Sequence, residues 1–141
     1  MRLKLINMKH GGYIMAVSKP LIENYFVGAL QMRCSVVTDT ASGDTIIIDG
    51  GAEPDRLIAW IENWQGRGPD WSSGPSIDDY SSEELPQRRV VALVNTHAHF
   101  DHSGHIPDLL ENYNVKWYLH EDDYFLQTLA QQSGQRWGFN I

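Results

Sequence analysis

A chain of 141 residues, 42% of them hydrophobic and 21% charged, has the size and composition of one folded domain, which excludes wholesale disorder. Its net charge of −7 argues against a nucleic-acid partner, because phosphate binding needs a clustered Lys/Arg surface that the sequence lacks. Cys34 is the sole cysteine, so an internal disulfide is excluded and a reducing compartment is expected.

The first ten residues, from Met1 to His10, carry charges but no apolar h-region, so neither a signal peptide nor a membrane partner is expected, and a cytoplasmic protein is the default reading. Two β-rich stretches follow, Tyr13 to Ser18 and a longer one from Asn24 to Asp39. Cys34 lies in the second, among Val and Met, where a buried structural thiol is expected. Residues 40–44 read as a turn leading into a strand from Thr45 to Asp49, which Gly50-Gly51 ends. Pro54 suits a first helical position, and Leu57, Ile58, Ile61 and Trp64 recur at helical spacing, which predicts an amphipathic helix from about Pro54 to Trp64.

Gly66 to Arg88 holds five Ser, three Gly and three Pro. It is longer than a structureless connection normally runs, and it reads as a solvated surface insertion with a helical turn near Ser81–Leu85. The competing reading is a lid using Trp71 or Tyr80. Arg89 to Asn95 is the next strand, followed by a histidine-rich loop, a helix from about Ile106 to Tyr113, a strand from Val115 to Leu119 and a helix from Glu121 to Gln132 with Phe125 and Leu129 on one face. Strand and helix alternate three times from Thr45 onward, the pattern of an α/β fold built from βαβ units.

Four of the six histidines fall between His97 and His105, directly behind an apolar strand. His97, His99, Asp101 and His102 form an H-x-H-x-D-H arrangement. In an extended or irregular loop, His97 and His99 can turn toward one ion while Asp101 and His102, further round the bend, reach a second. Helical pairs would use i, i+4 spacing instead. Imidazole and carboxylate suit a borderline ion such as Zn2+ at neutral pH. Ligand sites gather at the C-terminal ends of strands in such sheets, which brings Asp49 near the histidines. It then either holds an imidazole in place or serves only as a turn residue beside two glycines. His105 and His120 are expected to pack or hydrogen-bond, and His10 carries no signal.

Thr96 to Gly104 resembles the T-H-x-H-x-D-H-x-G loop of the metallo-β-lactamase superfamily, and the β-rich opening, the strand end at Ile48-Asp49-Gly50 and the helix before the motif are similar to its first half. The tail from His120 to Phe139 is most similar to glyoxalase II-like (hydroxyacylglutathione hydrolase-type) hydrolases. The resemblance implies the N-terminal half of an αββα sandwich, a mixed sheet flanked by helices. Flavodiiron oxidoreductases of this fold carry Glu where this chain has His99, and the commonest zinc β-lactamases carry Arg where it has His102, so keeping both resembles the dinuclear hydrolases. By that resemblance His97 and His99 bind one metal and Asp101 and His102 the other. Up to two Zn2+ are implied per completed site, with Fe or Mn as alternatives. Asp101 orients the nucleophile or takes its proton. The implied substrate is a small acyl compound or thioester, whose thiolate needs little protonation to leave because a thiol's pKa is about 8.5.

The family's later ligands, a histidine, a bridging aspartate and a final histidine, have no counterparts before Ile141. Two protein ligands per ion fall short of the three that catalytic zinc normally takes. The chain alone is therefore expected to be incomplete and to turn over little. Self-association or a complementing C-terminal half is expected to cover its open face. Three functions follow from this: part of a metal-dependent hydrolase, a non-catalytic metal-binding or interaction fragment completed by a partner, and a mononuclear-iron oxidoreductase of the sulfur-dioxygenase type.

Overall fold

The computed structural model describes residues 3–7, 13–17, 20–63 and 86–139. Strands β1 (Leu3–Asn7) and β2 (Tyr13–Val17) pair as an antiparallel two-stranded sheet; β1 has no counterpart in the sequence reading. A mixed five-stranded sheet carries the rest, in the order β3 (Leu21–Val27), β4 (Met32–Thr38), β5 (Asp44–Ile48), β6 (Arg89–Val94) and β7 (Lys116–Tyr118). The first three strands are antiparallel neighbours, whereas β5, β6 and β7 run parallel. The class is α/β, as the alternation predicts.

The long stretch expected from Asn24 to Asp39 is instead a hairpin. Its turn uses left-handed backbone at Gly28 (φ 69°) and Gln31 (φ 53°), closed by Gln31 N donating to Gly28 O at 3.1 Å. The turn lacks the Asn-Gly, Asp-Gly or Pro signal that would have marked it. Tyr25 then faces Cys34 across the ladder. Alternate residues Cys34 and Val36 are fully buried, the period-two pattern of a strand with one face on the core.

Helix α1 (Pro54–Asn63) covers that face with Leu57 and Ile61, both buried. Each contributes about 1.5–3 kcal/mol by leaving water. The expected Trp64 end lies outside the described residues. Trp60 stacks on Tyr25 with ring centroids 4.6 Å apart, and the Arg56 guanidinium lies over the indole at 4.2 Å. Helix α3 (Ile106–Tyr113) adds Ile106 and Leu109 to the same core and ends at Asn114, which adopts the left-handed conformation that asparagine tolerates in a C-terminal cap.

Two further expectations need correction. The turn Glu121–Asp123 is 3-10, and helix α4 runs Tyr124–Arg136. Its buried residues are Ala130 and Gly134, while Phe125 and Leu129 stand exposed; small residues let α4 approach its neighbour closely, and the large apolar face points outward. The expected surface segment ends in Arg88, which is buried in an ion pair with the buried Glu23. Residues 66–85 of that segment, with its helical turn and the lid candidates Trp71 and Tyr80, lie outside the described residues. Among the described residues no helix is long and apolar enough to cross a membrane.

Candidate metal centre

Because β5, β6 and β7 are parallel, their C-terminal ends lie along one edge. Asp49 follows β5 and Asn95-Thr96-His97 follows β6. Asp49 N donates to Val94 O at 2.9 Å and Asn95 N to Tyr118 O at 2.9 Å, extending the ladder to the brink of the histidine loop. The loop is not irregular throughout. Phe100–Ser103 forms a helical turn, α2, so Asp101 and His102 sit on its first residues. Ser103 holds that turn against the loop by donating from Oγ to Ala98 O at 3.2 Å and His99 O at 3.1 Å.

The four candidate ligands come together. The His97 ring lies 3.9 Å from that of His102, tilted by 47°, and meets His99 edge-on at 4.8 Å. His102 Nε2 is 3.6 Å from Asp101 Oδ2, and its Nδ1 is 3.3 Å from Asp49 Oδ2. That last approach is off-axis for a hydrogen bond, which leaves a shielded Nδ1 without a hydrogen-bond partner. The expected division into a His97–His99 pair and an Asp101–His102 pair is thus modified, because His102 stands against His97 and between two carboxylates. Among the described residues no three His, Cys, Asp or Glu side chains surround a common centre; the imidazoles pack on one another instead.

The donor set nevertheless fits a metal. Burial, then the neighbouring His102 and His99, push the His97 imidazole below its ordinary range, toward the neutral form that ligates. The Asp49 carboxylate raises His102 above its ordinary range, a pull that burial opposes. Asp49 itself is pushed up by burial, but the adjacent His102 imidazole and the hydrogen bonds from Thr96 outweigh this and hold its carboxyl below the usual range. Thr96 Oγ1 donates to Asp49 Oδ2 at 2.7 Å, which commits the hydroxyl proton. Its 3.1 Å contact with His97 Nδ1 therefore assigns Nδ1 as donor and leaves the Nε2 lone pair for a cation.

Asp49 lies beside the His102 imidazole at the turn that ends β5. It occupies left-handed backbone at φ 57°, which Asp tolerates, and it accepts from Thr96 N at 2.8 Å and Asn95 Nδ2 at 3.2 Å. Asn95 and Thr96 were missed as functional candidates. Asn95 is buried, donates to His102 O at 2.6 Å and accepts from Trp117 Nε1 at 2.8 Å, tying strand end to α2 and β7. A polar amide closing an apolar strand was the available signal. His105 pairs with Asp108 at 3.1 Å, and His120 Nδ1 accepts from Asp122 N at 3.3 Å, so both side chains are hydrogen-bonded as expected. Cys34 is buried, and burial raises its thiol far above the ordinary range, so it is no nucleophile.

Gly51 lets the β5–α1 turn lie directly against α2. A Cβ there would overlap the carbonyl groups of His102 and Asp101, and backbone cannot rotate aside as a side chain can. Gly51→Ala is therefore expected to cost about 1–3 kcal/mol of stability through overpacking and to displace Asp101 and His102. Denaturant titration together with zinc affinity reads both effects. An unchanged affinity would show that this close approach does not set the ligands.

The sequence profile of the metallo-beta-lactamase superfamily matches residues 27–138. An uncharacterized protein of Aquifex aeolicus is 32% identical over 100 residues, which span 71% of this chain and 36% of that protein. The hydroxyacylglutathione hydrolase GloC of Haemophilus influenzae is 32% identical over 118 residues, 83% of this chain and 45% of the relative. The chain thus spans less than half the length of these curated relatives. Among solved structures, TTHA1623 in a di-iron-bound form superposes with a TM-score of 0.60 and 27% identity, over 84% of this chain and 48% of that one.

Proposed function

The chain belongs to the metallo-beta-lactamase superfamily, and from that premise we propose that it supplies the His97, His99, Asp101 and His102 ligands of a two-metal hydrolase acting on a small acyl compound, a thioester in the first instance. The observation that carries this reading is the convergence of three imidazoles and two carboxylates at one sheet edge, with His97 in contact with both other rings. When bound, such ions lower the pKa of water to about 7 and polarise a carbonyl. The likeness to GloC favours a thioester; the di-iron form of TTHA1623 favours iron as readily as zinc.

The protein's own groups have separable tasks. Thr96 fixes the His97 tautomer, and Asp49 holds the far side of His102, so that both rings keep a ligating nitrogen free. Asp101, part-buried beside His102, would hold or receive a proton from the attacking water in this reading. Four side chains divided between two ions give each fewer than the three protein ligands usual for catalytic zinc, so slow turnover is expected from these residues alone.

Metal uptake is therefore read first and hydrolysis second. Dialysed against zinc, the protein should retain metal at the histidine cluster, up to two ions per chain, and replacing His97, His99 and His102 together by Ala should remove it. A metal-dependent thioesterase rate abolished in Asp101→Ala supports the hydrolase. Metal uptake with no hydrolysis of any thioester would replace it with the metal-binding fragment reading, and a single iron with oxygen consumption with the sulfur-dioxygenase-type reading.

A further inference from the structure

A recess of about 210 Å³ opens beside Asp101, between the tip of the β3–β4 hairpin, the Gly51–Glu53 turn and α2. Its walls are Val27, Leu30, Ala52, Phe100 and Phe139, with Asp101 at its margin. The Phe100 and Phe139 rings are 5.5 Å apart. A second recess of about 470 Å³, which includes His99 and Trp137, shares Leu30, Phe100 and Asp101 with the first.

Among the described residues no lysine or arginine lines the smaller recess. The polar groups on its wall are already engaged. Glu53 accepts from Gly28 N at 2.9 Å and pairs with Arg56 at 3.1 Å, and His105 is paired with Asp108. An ionised carboxylate entering there would lose its hydration with nothing to replace it. An apolar cavity of roughly 150 Å³ suffices for one benzene ring, so this one accommodates a single ring or a branched chain of similar bulk.

We propose that this recess selects the substrate by holding one uncharged, apolar substituent of about one ring's bulk. The inference rests on the hydrolase reading for the word substrate, and on the recess alone for the ligand chemistry. It sets the chain apart from an enzyme that would seat a carboxylate-bearing group at this position.

The test is a pair of matched probes, N-benzylacetamide and its ring-carboxylated counterpart 4-(acetamidomethyl)benzoate, titrated into the ¹⁵N-labelled 141-residue chain. The neutral probe should shift the amides of Gly28, Leu30 and Ala52, and the carboxylate should bind at least about tenfold more weakly. Leu30→Glu, on an exposed hairpin tip that tolerates charge without unfolding, should weaken the neutral probe by a similar factor. Equal binding of the two probes, shifts confined to other regions, indifference to Leu30→Glu, or no binding up to about 20 mM would each overturn the proposal. Should the neutral ring bind here while metal-loaded protein hydrolyses no thioester, the hydrolase reading falls and the recess stands as an apolar-ligand site.

Discussion

Arg88→Met is expected to lower the free energy of unfolding by about 3–5 kcal/mol, the cost of stranding one member of a buried ion pair. The Arg88 guanidinium donates through one terminal nitrogen to Glu23 Oε2, and Tyr25 OH donates to Glu23 Oε1 at 2.8 Å. Both charged side chains are almost wholly shielded. The pair joins the edge strand β3 to the residue that leads into β6, 65 positions along the chain. Burial raises Tyr25 far above the ordinary phenol range, followed in weight by the Glu23 charge, so its hydroxyl stays a donor.

Glu23→Gln strands the Arg88 guanidinium, which cannot shed its charge, and should cost a similar amount. Burial pushes the Glu23 carboxyl above its ordinary 4.5, against the opposing pull of Arg88 and Tyr25. A raised acid favours the folded state fully at pH below the unfolded value, and that contribution is lost as pH rises through the folded one. Stability of the wild type should fall slightly from pH 4.5 upward on account of this group. Glu23→Gln should flatten that slope, and Arg88→Met should steepen it by removing the opposing cation. Urea titrations at several pH values, with unchanged m, read all three. A loss of less than about 1 kcal/mol from either substitution would contradict the account.

The second large effect is expected at Asp49. Asp49→Asn keeps a residue that tolerates left-handed backbone, but its amide cannot reproduce the doubly accepting carboxylate that faces Thr96, Asn95 and His102. Zinc affinity should fall about 10–100-fold, the usual result of removing a group that orients a ligating imidazole. Folding stability should change by no more than about 1 kcal/mol. Asp49→Ala should lose the same affinity and in addition about 1–2 kcal/mol for an alanine held at positive φ. The separation between the two variants distinguishes a positioning role from a merely structural one. Zinc binding by Asp49→Asn at wild-type strength would exclude that role.

The βαβ half of the fold and the ligand cluster were legible because their signals are local. Leu57 and Ile61 fall at helical spacing on the buried side of α1, and the apolar run before Thr96 ends where a parallel strand must. What escaped the sequence reading was decided by tertiary contacts. The Gly28–Gln31 turn has no Asn-Gly or Pro to announce it, and its Gly28 N–H is held by Glu53, 25 residues away. Arg88 sits in a serine- and proline-rich stretch that reads as solvent-facing, yet its partner is Glu23 on the opposite side of the sequence. In α4, hydropathy favours the Phe125 and Leu129 face, whereas close packing selected Ala130 and Gly134. At the centre itself, pattern alone identified His97, His99, Asp101 and His102 as neighbours. It could not foresee that a helical turn would carry Asp101 and His102, or that Asn95 would tie that turn to the sheet.

The most direct measurement of the central claim is zinc-edge X-ray absorption on the metal-loaded chain. The account predicts a shell of imidazole nitrogen and carboxylate oxygen at about 2.0–2.1 Å, with histidine multiple scattering, that disappears when His97, His99 and His102 are replaced by Ala. Zinc surrounded by water oxygens alone, or a histidine signal that survives those replacements, would contradict it.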